Sequence, residues 1–165
     1  MVTQVRLKEL LSYNPLTGQF IRLIATGRHG CHKVGEVAGH LRNDGKIDIK
    51  VSDKKYKAHR LAWFYMTGVW PTEEIDHIDL NKSNNRWDNL REATHVQNQY
   101  NKRKSPLNKS GYKGVSWCKQ TQKWRAQIVA DKKHKNIGRY DTLQEAYVAY
   151  CAAALIHHGK FARVE

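Results

Sequence analysis

Residues 74–101 read EIDHIDLNKSNNRWDNLREATHVQNQYN. Asp76 and His77 are adjacent, and asparagines follow at positions 81, 84, 85, 89, 98 and 101. Asparagine is a poor former of helix and of strand, so local propensity does not account for the cluster. Two roles suit it: amides that bond the backbone of an irregular loop, and amide oxygens that hold a ligand. Asn84 and Asn85 read as turn formers of the first kind. Thr94 followed by Gln97 is a capping-box pattern, which predicts a helix from about 95 to 103 and brings Asn98 to the surface one turn in.

In a strand, neighbouring side chains point to opposite faces, so one of the Asp76–His77 pair can hold a metal while the other addresses a substrate. A carboxylate and an amide carbonyl are both hard oxygen donors. Asp76 and Asn98, completed by water and phosphate oxygens, suit one divalent ion such as Mg²⁺, which rarely has an all-protein cage; Mn²⁺ is expected to substitute. His77 is then the expected general base on water, because a neutral imidazole titrates near the operating pH. Arg86 and Arg91 lie close enough in sequence to hold phosphates. A lone Asp-His pair is more often a surface pair or a helix cap, and it is the full spacing through Asn89 to Asn98 that favours a site. Asp79 fits a cap better than a second acidic ligand. His59 reads equally as a structural hydrogen-bonder and as part of the site rim.

The stretch Asp76-His77-I-D-L-N-K-S-Asn84-Asn85, then Asp88-Asn89-L-R, then Thr94-H-V-Q-Asn98 resembles the HNH nuclease family, in the branch seen in phage and intron-encoded homing endonucleases. The resemblance implies a ββα-metal unit around one divalent ion. It implies Asp76 and Asn98 as metal ligands, His77 as the base, and Asn89 as a structural residue that ties the loop between the strands. The third position is Asn98 rather than the histidine that names the family, a change that branch tolerates. The implied reaction is phosphodiester hydrolysis that leaves a 5′-phosphate and a 3′-hydroxyl.

The rest of the chain agrees with a polyanion partner. Its 165 residues hold 29 Lys+Arg against 15 Asp+Glu, a formal net charge of +14. Eighteen of these cations and eleven acids precede Ser105, against eleven and four from there on, so both halves carry the same excess. Nucleic acid is the commonest partner for such a field. No apolar run approaches the roughly 18–20 residues of a membrane span, so no membrane partner is expected. Cys31, Cys118 and Cys151 are few, odd in number and far apart, which excludes a structural zinc knuckle and points to free thiols in a reducing cytoplasm. The N-terminus reads as a short amphipathic helix near residues 3–11 rather than a signal peptide. A bacterial host cytoplasm, with the gene carried by a phage, is the expected setting.

Basic residues, Pro106 and Gly111 mark residues 105–110 as a linker. The expected domains are 1–104, containing the 74–101 motif, and 111–165. In the first, strands are expected at 19–23, 35–41, 46–51 and 54–59, with Asn43-Asp44-Gly45 as a hairpin turn. A helix over HRLAWFYMT should end at Gly68. In the second, GYKGVSWCK, KWRAQIVA and HKNIGRY read as three strands. Thr142 with Glu145 caps a helix, LQEAYVAYCAAALIHH, which Gly159 terminates. The fold class is therefore α+β: a small β-rich N-terminal region, an HNH-like domain, and a three-stranded antiparallel sheet packed on one helix.

In KWRAQIVA, Trp124, Ala126, Ile128 and Ala130 alternate with Lys123, Arg125, Gln127 and Val129. The first set should meet the alanine-rich helix, leaving the second as a bare cationic face suited to a major groove. With Ile137 inward, His134 and Asn136 join that face. The first strand is harder to phase, and a bulge is expected there. Segments Ser110-G-Y-K-G-V-S-W, Lys123-W-R-A-Q-I, Ile137-G-R-Y and Thr142-L-Q-E-A-Y-V-A-Y resemble the plant ethylene-response-factor (APETALA-two) DNA-binding domain. That resemblance implies DNA contacts from Lys113, Ser116, Gln127, His134 and Asn136, to which the cations Lys119, Lys123 and Arg125 add. Several of that family's arginines and a tryptophan are absent, so its recognition sequence does not carry over. Together these readings predict a metal-dependent, sequence-directed endonuclease of duplex DNA, of the homing or nicking kind, acting as a monomer. The rival is a non-catalytic DNA-binding regulator that keeps an HNH-like fold; an RNA-directed protein is a weaker third.

Overall fold

The computed structural model describes residues 2–26 and 31–164. They form two compact units, Met1–Ala93 and Thr94–Glu165. The limits read from motif spacing, at 104 and 111, both lie inside the second unit.

The first unit opens with α1 (Gln4–Leu10), whose N-cap Thr3 accepts from the Arg6 amide. It leads directly into β1 (Leu11–Asn14), which pairs antiparallel with β2 (Gln19–Arg22) across the NPLTG turn. A three-stranded sheet follows, made of β3 (His40–Leu41), β4 (Ile47–Val51) and β5 (Lys54–Lys57), and the 43–45 turn joins its first two strands. α2 (Ala58–Thr67) ends at Gly68 in the left-handed conformation, as the sequence predicts. The motif strand β6 (Glu74–His77) pairs with β7 (Leu90–Ala93), placing Asp76 opposite Arg91 and His77 opposite Leu90. Leu7, Leu11, Phe20, Ile49 and Leu61 form the centre of the core, each at most 2% exposed.

Two expected strands are corrected. Residues 35–41 do not form one strand; only His40–Leu41 do. The segment before them lies along β2 through irregular bonds, from Arg22 N–H to the Glu36 carbonyl and from Ala38 N–H to the Phe20 carbonyl. The strand expected over 54–59 stops at Lys57, and Ala58 and His59 open α2 instead. Ala58, Leu61 and Ala62 are buried, so helical spacing serves the core better there than continued alternation.

The second unit begins with α3 (His95–Tyr100), and Thr94 and Gln97 form the expected capping box. Its sheet runs β10 (Lys133–Tyr140), β9 (Lys123–Ala130), β8 (Val115–Cys118), all antiparallel, and packs on α4 (Leu143–His158). Ala126, Ile128 and Val115 of the sheet meet Ala146, Tyr150 and Ala154 of α4. The α+β class, and the three strands on one helix, are as predicted. The bulge is not in β8, whose four residues pair regularly with β9; the register shifts instead between Asn136 and Gly138 of β10. Gly114 is needed just ahead of β8. Its φ is +72°, and a Cβ there would stand 2.2 Å from the Tyr150 ring.

α3 belongs to this unit by its bonds. Tyr100 stacks on His158, with ring centroids 3.7 Å apart. The Lys113 ammonium donates to the carbonyls of Tyr100 and Lys102 at 2.7 Å each, and Arg163 Nε donates to Asn101 Oδ1.

Candidate functional site

Asp76 and His77 are 4% and 5% exposed, although they alternate along β6. The hairpin is covered on both sides, so the alternation buries both. Arg91, across from Asp76 in register, donates from Nε and Nη2 to Asp76 Oδ2 at 2.9 and 2.8 Å. With side chains 12% and 4% exposed, this is a buried ion pair, and its geometry fixes the carboxylate. Arg91, expected to hold phosphate, thus orients the predicted metal ligand.

His77 Nε2 lies 3.1 Å from Asn85 Oδ1. An amide oxygen only accepts, so Nε2 carries the proton and the neutral ring keeps its lone pair on Nδ1. Asn85 Nδ2 donates to the Ser83 carbonyl, which fixes which end of the amide faces the histidine. Burial lowers the pKa of His77, against the opposing effect of the Asn85 bond and of Asp79 and Asp76. The ring is therefore neutral at neutral pH. His59 packs edge-on against it at 5.1 Å, and burial, with His77 beside it, drives the His59 pKa down to about 3. His59 Nδ1 is buried without a hydrogen-bond partner among the described residues.

The asparagines divide as loop formers and one positioner. Asn89 Oδ1 accepts from the Asp79 amide, while its Nδ2 donates to Asp79 Oδ1 and to the Asn84 carbonyl. Asp79 also accepts from the Asn81 amide and from Asn84 Nδ2. Burial alone would raise its pKa, but those bonds outweigh it and the pKa falls. Asn85 is 1% exposed, and sequence reasoning took it for a turn former. In the doublet Asn84-Asn85 nothing local says which amide is buried. Tyr13 Oη donates to the Asn85 carbonyl at 2.7 Å, and Trp87 N–H donates to the Pro15 carbonyl. A Cβ on Gly18 would meet the Asn85–Arg86 backbone at 2.4 Å. The β1–β2 turn thus clamps the loop that holds Asn85.

Asn98 stands on α3, in the second unit, where its N–H closes the first helical turn on the Thr94 carbonyl. Arg86 is exposed and forks onto Asp88. Among the described residues no group of three or more His, Cys, Asp or Glu could hold a metal. The buried Asp76 carboxylate is a hard donor of the kind a divalent ion takes with water and phosphate.

On the second unit, β-pairing sets one sheet face. Ser116 lies opposite Arg125 and Cys118 opposite Lys123; Gln127 lies opposite Asn136 and Val129 opposite His134. The bulge brings Arg139 opposite Arg125, onto the same face. Strict alternation from an inward Ile137 hid Arg139 from the sequence reading. Lys119 is in the exposed turn between β8 and β9. Lys113 is turned onto carbonyls instead, and burial, with Arg163 nearby, lowers its pKa to about 8.

Residues 56–100 match the HNH endonuclease family model, and residues 110–156 match the AP2 domain model. The chain carries an HNH endonuclease domain and, behind it, an AP2 domain. It is 38% identical over 112 residues to Protein 3.8 of Escherichia phage T7, covering 66% of this chain and 92% of that one. It is 34% identical over 110 residues to an uncharacterized HNH endonuclease of Acanthamoeba polyphaga mimivirus, of whose length it spans 56%. A solved structure of the HNH homing endonuclease I-HmuI, on its DNA binding and cleavage, aligns over 90% of this chain and 84% of that one, at 18% identity and a TM-score of 0.41. No helix among the described residues is long and apolar enough to cross a membrane.

Proposed function

We propose that this protein is a metal-dependent endonuclease that hydrolyses phosphodiester bonds in duplex DNA, directed to its site by the AP2 sheet, in the manner of a phage homing or nicking enzyme. The observation that carries the proposal is His77: buried beside Asp76, held neutral, and oriented through Nε2 by Asn85. His77 Nδ1 takes a proton from water as that water attacks phosphorus. Asn85 holds the tautomer that makes Nδ1 the basic atom and bonds the imidazolium that forms. Arg91 holds the Asp76 carboxylate in place, and Asp76 with Asn98 would hold the divalent ion. When bound, that ion would supply neutralisation of the charge that develops on the leaving group. The products are then a 5′-phosphate and a 3′-hydroxyl. Arg125, Gln127, Asn136 and His134 of the sheet face, with Ser116, Lys119 and Lys123, are proposed to meet DNA, and Arg86 to meet a phosphate near the cut. One active site per chain makes a nick the product of a monomer.

The test is conversion of supercoiled plasmid, carrying DNA from the protein's own genomic neighbourhood, with Mg²⁺, with Mn²⁺ and with EDTA, beside His77→Ala. Open circles that require metal and vanish in the variant are expected. DNA binding without product under either metal would move the reading to a non-catalytic regulator.

A further inference from the structure

Arg22, at the end of β2, is 7% exposed. Among the described residues its guanidinium donates to one side chain, the Thr26 hydroxyl at 2.8 Å, and its Nε is buried without a partner. No carboxylate among the described residues forms an ion pair with it. Of the acids in this unit, Glu9 holds Arg6 at 2.7 Å, Asp53 holds Lys50 at 2.9 Å and Asp48 holds Arg42 at 3.1 Å, while Glu36, whose carbonyl accepts from the Arg22 amide, takes the Lys33 amide on its carboxylate. Residues 27–30, Gly-Arg-His-Gly, bring no acidic side chain. A buried charge without a counter-charge is costly, and a folded chain that keeps one has a use for it.

Arg22 opens onto a cavity of about 570 Å³. Arg6, His32 and Lys50 line it with Arg22, as do Asp53, which holds Lys50, and the apolar Leu11 and Val51. Arg22 also borders a smaller cavity of about 200 Å³, lined by Lys50, His40 and Lys55 together with Asp48, which holds Arg42. A planar guanidinium offers a fork of N–H donors matched to phosphate oxygens.

We propose that the cavity at Arg22 is a phosphate site, and that its occupant is a backbone phosphate of bound duplex DNA away from the bond that is cut. Arg22 supplies the fork, and the surrounding cations raise the local potential. The β-rich N-terminal region thereby becomes a DNA-holding element, separate from the His77 site and from the AP2 sheet. The source of the phosphate rests on the nuclease reading; the presence of an anion site does not.

The test uses the full chain in EDTA, so that no cleavage is needed. Thermal unfolding is followed in potassium phosphate against potassium chloride of equal ionic strength. Duplex affinity is followed against salt, for wild type, Arg22→Gln and Arg22→Lys. Phosphate is expected to raise the unfolding temperature of wild type more than that of Arg22→Gln. The slope of log affinity against log salt is expected to fall by about 1 in Arg22→Gln, the contribution of one phosphate contact. Arg22→Lys keeps the charge and most of the slope but loses the fork. Phosphate stabilisation that depends on Arg22 without a change in slope would overturn the duplex assignment in favour of free phosphate. Equal phosphate response and equal slope in wild type and Arg22→Gln would overturn the site itself. Should Arg22→Gln not fold, the wild-type chain decides alone. The Nε–H resonance of Arg22, assigned by its loss in Arg22→Lys, moves on phosphate titration if the site exists and stays in place if it does not.

Discussion

His77 and Asn85 act as one unit, and their bond makes separable predictions. Removing the proposed base should cost on the order of 10²–10⁴-fold in rate, so His77→Ala is expected to be inactive in plasmid conversion. Asn85→Ala leaves the imidazole in place without its tautomer lock, and a loss of about 10- to 100-fold is expected. The Asn85 bond favours the charged ring and raises the His77 pKa, so its removal shifts the acid limb of kcat/KM to lower pH. A purely structural loss would lower the profile without moving it. His59 makes a prediction of a different kind. Its pKa is about 3 in the fold, against an ordinary value of 6.5. The unfolded chain therefore binds a proton that the folded chain refuses. The stability this group contributes is full above 6.5 and declines as pH falls towards 3, by at most about 1.4 kcal/mol per pH unit. Urea unfolding at pH 7 and pH 5 reads the slope, which His59→Phe should flatten.

At the scale of elements, the β1–β2 turn and the β6–β7 loop are one device. Gly18 is the point of closest approach, with a φ of +73° as a second reason for glycine. Gly18→Ala is expected to cost about 1–3 kcal/mol and to lower activity as well, because the backbone it displaces is that of Asn85. Retained activity in a destabilised Gly18→Ala would separate the turn from the site. In the second unit the bulge in β10 decides which side chains share the face of Arg125. Arg139→Ala is expected to weaken DNA binding as much as Arg125→Ala does and to reduce the salt slope by about 1, read by titration of labelled duplex against salt. Normal binding by Arg139→Ala would mean that the bulge serves the fold alone.

For the molecule as a whole, the charge of +14 falls on both units but unevenly, with 15 Lys+Arg against 11 Asp+Glu in residues 1–93 and 14 against 4 in residues 94–165. Binding that uses both halves should be steeply dependent on salt. With six or more phosphates contacted, affinity is expected to fall by about 10³-fold between roughly 50 and 200 mM salt. A shallow dependence would mean that only one unit engages DNA. The chain thus joins an HNH segment to an AP2 domain.

The class of the protein and most of its elements were legible in the sequence, because capping boxes, hairpin turns and alternation are local patterns with local causes. Thr94 with Gln97 and Thr142 with Glu145 cap the helices they predict, and the alternation in KWRAQIVA sorts Ala126 and Ile128 onto the face that meets α4. Asp76, His77 and Asn89 stand out in the sequence as residue types at a characteristic spacing, and the structure buries all three. What only the tertiary structure decided depends on partners distant in the chain. Arg91 turned from phosphate to Asp76 because strand register sets them opposite each other. Asn85, not its neighbour Asn84, became the residue that orients His77, because Tyr13, Pro15 and Gly18 press the loop into place from some seventy residues away. Arg139 gained the sheet face through a one-residue shift in pairing, and Arg22 is buried with no acid among the described residues paired to it. Register, burial and the presence of a counter-charge are properties of the packed chain, and no window of sequence contains them.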